Sequence, residues 1–194
     1  GASNKNLGDI VVNSLTVRTP DGKEPIYIAY GGKGSGYIIT YNVEGNQTVY
    51  LGTSLEGGGS LRTYNDKETQ TAFLGTSRDG DGFLTTFNSE GKKVSYLGTS
   101  EGGSGIVRTY NDEETLTSYL GTGENGGGIL STYNAEGKET SYLGTSVNGG
   151  FGFLSTLNKY GVQVGYFGSS TDNDGLARLY DRYGDAGWSA SGKK

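Results

Sequence analysis

The sequence predicts an all-β protein, a repetitive stack of antiparallel hairpins, and three observations carry that expectation. Glycine supplies 37 of the 194 residues and proline only 2. An average protein has roughly 7% Gly, so the excess marks many tight turns or close backbone approaches. An aromatic-Asn step or a close variant recurs at Tyr41-Asn42, Tyr64-Asn65, Phe87-Asn88, Tyr110-Asn111, Tyr133-Asn134, Leu157-Asn158 and Tyr180-Asp181, spaced 23, 23, 23, 23, 24 and 23 residues apart. The intervening segments are rich in Thr, Tyr, Leu and Val and show no 3.6-residue periodicity, which favours strands and nearly excludes helix.

In chain order, residues 1–14 form a lead-in. A degenerate first copy ends at Thr19-Pro20-Asp21-Gly22, with Leu15 standing 23 residues before Ile38. About eight units then fill residues 15–184. Each begins with a strand whose aliphatic or Ala position lies three residues before the aromatic, from Leu15 and Ile38 to Leu154 and Ala177. A turn follows, such as Asn42-Val43-Glu44-Gly45. Asn first and Gly fourth describe a type I turn closed by a left-handed Gly bulge. The second strand carries a further marker, Leu or Phe before Gly52, Gly75, Gly98, Gly121, Gly144 and Gly168, and a Gly-rich loop returns the chain. One extra residue in the loop at 147–152 explains the single interval of 24. Residues 185–194 read as a C-terminal tail with a frayed end.

Two units break the turn rule alike. Glu68 and Glu114 stand where Gly is expected, and Arg62 and Arg108 precede the aromatic by two, so a 46-residue super-repeat covers the middle of the chain. Left-handed Glu costs on the order of 1 kcal/mol, so a different turn geometry is expected there. Duplication of a pair of units accounts for the pattern; an alternating Arg–Glu contact between chains is the sharper reading.

Period-two alternation sends neighbouring side chains to opposite faces. Carried through the hairpin, each face is expected to receive both an aromatic and an aliphatic ladder. An open sheet exposing such stripes invites aggregation, so the sheet should coil into a solenoid or pair with copies of itself. Only 32% of the residues are hydrophobic, which is thin for a monomeric core; burial among identical chains, three favoured, would supply the missing surface. With two strands per unit at roughly 4.8 Å, eight units would make a rod about 75 Å long.

Composition excludes several chemistries. The chain has no His, Cys or Met, so a Ser-His triad, a Cys nucleophile, the usual zinc ligands and disulfides are all out of reach. A formal charge of −5 argues against a nucleic-acid partner, which wants a basic stripe. No apolar run approaches the ~18 residues of a membrane span, so no membrane insertion is expected of this segment. The chain opens on Gly1 rather than Met, as a processed product or fragment would. Asp79/Asp81 and Asp172/Asp174 flank glycines in a manner that suits Ca²⁺, but other units lack them and a solvated turn is the expectation. No catalytic, cofactor or metal residue is assigned, and no cofactor is expected. Exposed rings can stack on sugars, and the divergent end offers Tyr180, Tyr183 and Trp188 as a candidate glycan- or receptor-binding tip. An ice-binding face would need a regular outward Thr array, against which Thr53 and Ser54, being adjacent, point to opposite faces.

The string Leu-Gly-Thr-Ser-x-x-Gly-Gly-Gly-x-Leu-x-Thr-Tyr-Asn-x-Glu-Gly-Lys resembles the glycine-rich "LG…G-x-L…Y-N/D-x-x-G-K" repeats of large bacterial surface proteins and phage-tail-like fibres. The resemblance spans residues 15–184. It implies a β-solenoid or triangular β-prism-like fibre, commonly trimeric, on a cell surface, virion or otherwise outside the cell. The unit length and Tyr-x-Gly steps are also similar to MORN repeats, whose Trp and later Gly-x-Gly step do not recur here. The expected function is a non-enzymatic structural fibre or stalk acting as a rigid spacer, with a carbohydrate- or receptor-binding tail fibre as the alternative and an ice-binding solenoid as the weaker one.

Overall fold

A computed structural model describes residues 9, 11–32, 34–54 and 57–192. Among them every regular element is a β-strand and none is a helix. The chain divides into two compact units, residues 1–80 and 81–194. The first unit holds β1 (Ser14–Val17), β2 (Ile26–Tyr30), β3 (Gly36–Tyr41), β4 (Gln47–Thr53), β5 (Gly59–Tyr64) and β6 (Gln70–Thr76). The second holds β7 (Gly82–Phe87), β8 (Lys93–Thr99), β9 (Gly105–Tyr110), β10 (Leu116–Thr122) and β11 (Gly128–Tyr133), followed by β12 (Glu139–Thr145), β13 (Gly152–Leu157), β14 (Gln163–Ser169), β15 (Gly175–Tyr180) and β16 (Ala186–Ser191). Within each unit every strand pairs antiparallel with its successor, giving an open meander. Among the described residues, contacts between elements run only between strands adjacent in the chain. Neither unit therefore has a second layer packed on its sheet.

The turns explain the glycine and asparagine markers. Between β7 and β8 the Gly91 N–H donates to the Asn88 carbonyl at 3.0 Å, and the Asn88 N–H donates to the Lys92 carbonyl at 2.9 Å. Gly91 has φ +83°, the left-handed bulge that closes a type I turn. Asn88 Oδ1 accepts the N–H groups of Glu90 and Lys92, both at 3.0 Å, so its amide satisfies donors that the turn would otherwise leave open. The Gly-rich return is a second turn of the same kind rather than a loop. There the Ser100 N–H reaches the Ser104 carbonyl at 2.7 Å and the Gly103 N–H reaches the Ser100 carbonyl at 2.9 Å. The extra residue before β13 widens its turn: Ser146 N–H bonds the Phe151 carbonyl at 2.8 Å, and Gly150 N–H bonds the Ser146 carbonyl at 3.1 Å.

Glu68 and Glu114 do not change the turn, contrary to the sequence expectation. Both adopt φ +59° in the glycine position. Their carboxylates reach back to an earlier strand: Glu114 Oε1 accepts the Lys93 N–H at 2.9 Å and Glu68 Oε1 accepts the Gln47 N–H at 3.3 Å. A charge-assisted bond thus offsets the left-handed strain. Glu114→Ala keeps the strain and loses the acceptor, whereas Glu114→Gly loses both. Chemical denaturation should therefore place the Ala variant about 1 kcal/mol below the Gly variant.

Residues 186–191, within the 185–194 segment expected from sequence to be a tail with a frayed end after Trp188, form β16, paired with β15 from Tyr180↔Ala186 to Leu176↔Ser191. Its turn substitutes Asp181 for Asn, and Asp181 Oδ1 accepts the N–H groups of Tyr183 at 2.8 Å and Asp185 at 3.0 Å. These bonds, Tyr183 first, hold the Asp181 carboxyl below its ordinary range. A depressed carboxylate contributes stability above its unfolded-state value and loses it as pH falls through the folded one. Acid below about pH 3.8 should therefore loosen this hairpin, read as faster intrinsic-rate-corrected hydrogen exchange at Tyr183 and Asp185. Asp181→Asn should remove that pH dependence.

The register corrects the expectation about the faces. Each Asn- or Asp-led hairpin from β3–β4 onward carries a bulge one residue inside the second strand, seen where Phe87↔Lys93 is followed by Thr86↔Ser95. That extra residue shifts the count by one and flips the rest of the strand. Tyr96 thereby comes opposite Thr85 and Arg108, on the same face as Phe87 and Tyr110. Both aromatic ladders share one face, and the row containing Leu84, Leu97, Val107 and Leu120 lies on the other.

Candidate functional site

The two faces are chemically unlike, and the difference begins in the Tyr-Leu-Gly step. On the aromatic face, here the ring face, the second-strand rings of β4, β6, β8, β10 and β12 lie over the glycine two residues on. A Cβ at Gly98 would sit 2.7 Å from the Tyr96 hydroxyl, and one at Gly121 would sit 2.9 Å from that of Tyr119. The hydroxyl then caps the strand end: Tyr50, Tyr96 and Tyr166 donate to the carbonyls of Thr53, Thr99 and Ser169 at 3.0, 3.0 and 2.7 Å. Rings stack across strands, as in Tyr142–Phe153 at 5.1 Å and Phe153–Tyr166 at 5.6 Å. Burial raises the hydroxyl pKa of Tyr142 and Tyr166, which keeps the Tyr166 donor neutral. Arg62 lies between Tyr50 and Phe73, 5.8 and 5.0 Å from their centroids, and Arg108 lies 5.5 Å over Tyr119. These cation–π contacts hold the guanidinium groups over rings of the same chain, with the Nε of both arginines buried and without a hydrogen-bond partner.

The buried residues follow from this canopy of rings. Ser60, Thr85, Ile106, Ser131 and Ser155 are the buried residues among those described, Ser131 at 2% exposure. All five project to the ring face. Ser131 Oγ donates to Glu139 Oε1 at 2.6 Å beneath the rings. The sequence signal for this arrangement was legible, because an aromatic and a glycine two residues apart must share a face.

On the opposite face, here the leucine face, nothing among the described residues covers the aliphatic row. Leu51 and Leu74 in the first unit, and Leu97, Leu120 and Leu143 in the second, are about half exposed, Leu97 at 53%. Threonines flank the row on both sides, so Thr53, Thr63 and Leu61 share a face in the first unit. Many of their hydroxyls bond each other: Thr86–Ser95 at 2.6 Å, Thr109–Ser118 at 2.7 Å and Thr132–Ser141 at 2.7 Å.

The three candidate binding residues do not converge. Tyr180 belongs to the ring face, Trp188 pairs with Leu179 on the leucine face, and Tyr183 lies in the turn between β15 and β16. Tyr183 and Trp188 are exposed at 76% and 56%. The acidic turns assemble no metal cage: no group of three or more His, Cys, Asp or Glu among the described residues is placed to hold an ion. Ser170 Oγ instead accepts the N–H groups of Asp172 and Asp174 at 3.3 and 3.2 Å, an ordinary turn role. A groove of about 790 Å³ that the sequence did not suggest opens at the turn edge of the first unit, lined by Tyr27, Tyr41, Pro25, Val43 and Lys23. Lys23 Nζ is engaged there with the Val43 carbonyl at 2.8 Å.

No protein-family model and no curated protein matches the chain. Among solved structures it is similar to a porin-like protein from Bacteroides uniformis ATCC 8492, at 12% identity over 89% of this chain and 86% of that one, with a TM-score of 0.24. A likeness that distant carries no argument about this chain.

Proposed function

We propose that the chain is a structural element of an extracellular, cell-surface or virion assembly, a rigid spacer in which hairpin repeats form a solenoid- or prism-like fibre with copies of the same chain, three favoured. The observation that supports this reading most is the single-layer meander. Each strand contacts only its chain neighbours, so length is set by hairpin number, as in other repeat architectures. The chemistry is spread evenly along the strands. The Tyr-Leu-Gly step, the Asn-led turn and the Thr-flanked leucine recur from hairpin to hairpin, and Tyr180, Tyr183 and Trp188 share no subsite. The carbohydrate- or receptor-binding alternative therefore lacks a focal point at that end.

Deleting residues 93–138 tests the spacer, because it removes one 46-residue super-repeat and rejoins Lys92 to Glu139 in the register that Lys138 has now. Small-angle X-ray scattering should then show an unchanged cross-section and a maximum dimension shorter by about 19 Å, four strands at ~4.8 Å. An unfolded chain, or an unchanged maximum dimension, would count against a modular spacer.

A further inference from the structure

We infer that the leucine face is the surface through which copies of this chain pack on one another, with the ring face turned outward. The inference deepens the self-association proposed above and rests on it. Four observations support it.

The first is where apolar surface remains open. Every exposed large hydrophobic residue within a described strand, from Leu15 and Ile28 to Leu179 and Trp188, is on the leucine face. The five buried residues are all on the other. A monomer that left one face this apolar and uncovered would carry an aggregation hazard.

The second is where charge is missing. The strands contain five charged residues, Arg62, Lys93, Arg108, Glu139 and Arg178, and register places all five on the ring face. A sheet surface facing water gains solubility from charges. A surface that packs on another must avoid them, because an unpaired buried charge is costly.

The third is that one row of hydroxyls on the leucine face is already partnered across strands. The cross-strand hydroxyl pairs Thr86–Ser95, Thr109–Ser118 and Thr132–Ser141 lower the desolvation penalty of covering them.

The fourth is size and period. In the second unit, ten strands ~4.8 Å apart and about five residues, or ~17 Å, wide present on the order of 800 Å² per copy. A standard stable interface needs about that area from each partner. From β7 to β13 the face repeats a Thr-flanked aliphatic residue strand after strand, and the surface that shares that step is another copy of itself.

The chain has no cysteine, so a single introduced one reports its own surroundings. Leu97→Cys, Leu120→Cys and Leu143→Cys probe the leucine face in successive hairpins, and Ser189→Cys probes an exposed ring-face position. A disulfide forms only where two Cβ atoms approach to about 4 Å. After mild oxidation at micromolar concentration, at least one leucine-face variant should become mostly cross-linked into pairs, while Ser189→Cys stays below about a tenth, with mass measured on the reduced proteins by light scattering. If the reduced proteins are multi-copy but no leucine-face variant cross-links above the Ser189→Cys level, the seam lies elsewhere, and the inference falls while self-association stands. If wild type has the mass of one chain, both fall.

Discussion

Gly168→Ala should lower the melting temperature by about 2–12 °C, while Gly175→Ala, seven residues away, should leave it unchanged or raise it slightly. The two glycines lie on adjacent paired strands, β14 and β15, but on opposite faces. A Cβ at Gly168 would stand 2.5 Å from Phe153 Cβ, 2.7 Å from the Gly152 carbonyl oxygen and 2.8 Å from Phe153 Cα. Two of those atoms are backbone and cannot swing aside, so the strand pair must separate or the ring layer must lift. Overpacking of this kind costs roughly 1–3 kcal/mol, and each kcal/mol moves the transition of a chain this long by about 2–4 °C. A Cβ at Gly175 meets nothing within 4 Å, and removing glycine freedom from the unfolded chain contributes up to about 1 kcal/mol of stability. Differential scanning calorimetry of the two variants reads both signs. Equal destabilisation would show that these glycines serve the chain's flexibility and not the fit beneath the rings.

Leu97→Asp should convert the assembly to single chains at micromolar concentration with the strand signal of circular dichroism retained. Within one chain Leu97 is already half in water, so a charge there costs that chain little, less than about 1 kcal/mol. Against a second copy, the same carboxylate would be buried without a partner at a cost of several kcal/mol. The expected effect is thus on association and not on the hairpins. Lys138→Ala, the same one-unit charge change in an exposed turn, should leave the mass unaltered. Loss of mass in both variants would point to net charge as the cause rather than the leucine face.

The strands and turns were legible because their chemistry is local. Asn88 announces its turn through its own amide, and Gly91 through its φ, without help from distant residues. The faces were not legible, because they depend on one residue per hairpin. Val94 looks like any other strand residue, yet it is the extra one between Lys93 and Ser95. Without that bulge Tyr96 would fall on the leucine face, and each face would carry an aromatic and an aliphatic ladder, as alternation alone implies. Glu114 was misread for a related reason. Its conformational cost is visible in sequence, but the Lys93 N–H that offsets it lies 21 residues away. β16 escaped notice because Ser-Ala-Ser is a weak strand former whose pairing with β15 comes from the turn at Asp181. Tyr180, Tyr183 and Trp188 are alike in residue type, but the alternation that builds the sheet places Tyr180 and Trp188 on opposite faces.

The most direct test of the account is the mass of the wild-type chain in solution, by light scattering coupled to size exclusion at micromolar concentration. Self-association through an uncharged apolar face predicts a small whole-number multiple of the 20.4 kDa chain, three favoured, that falls to a single chain in Leu97→Asp. A wild-type mass of 20.4 kDa would contradict it.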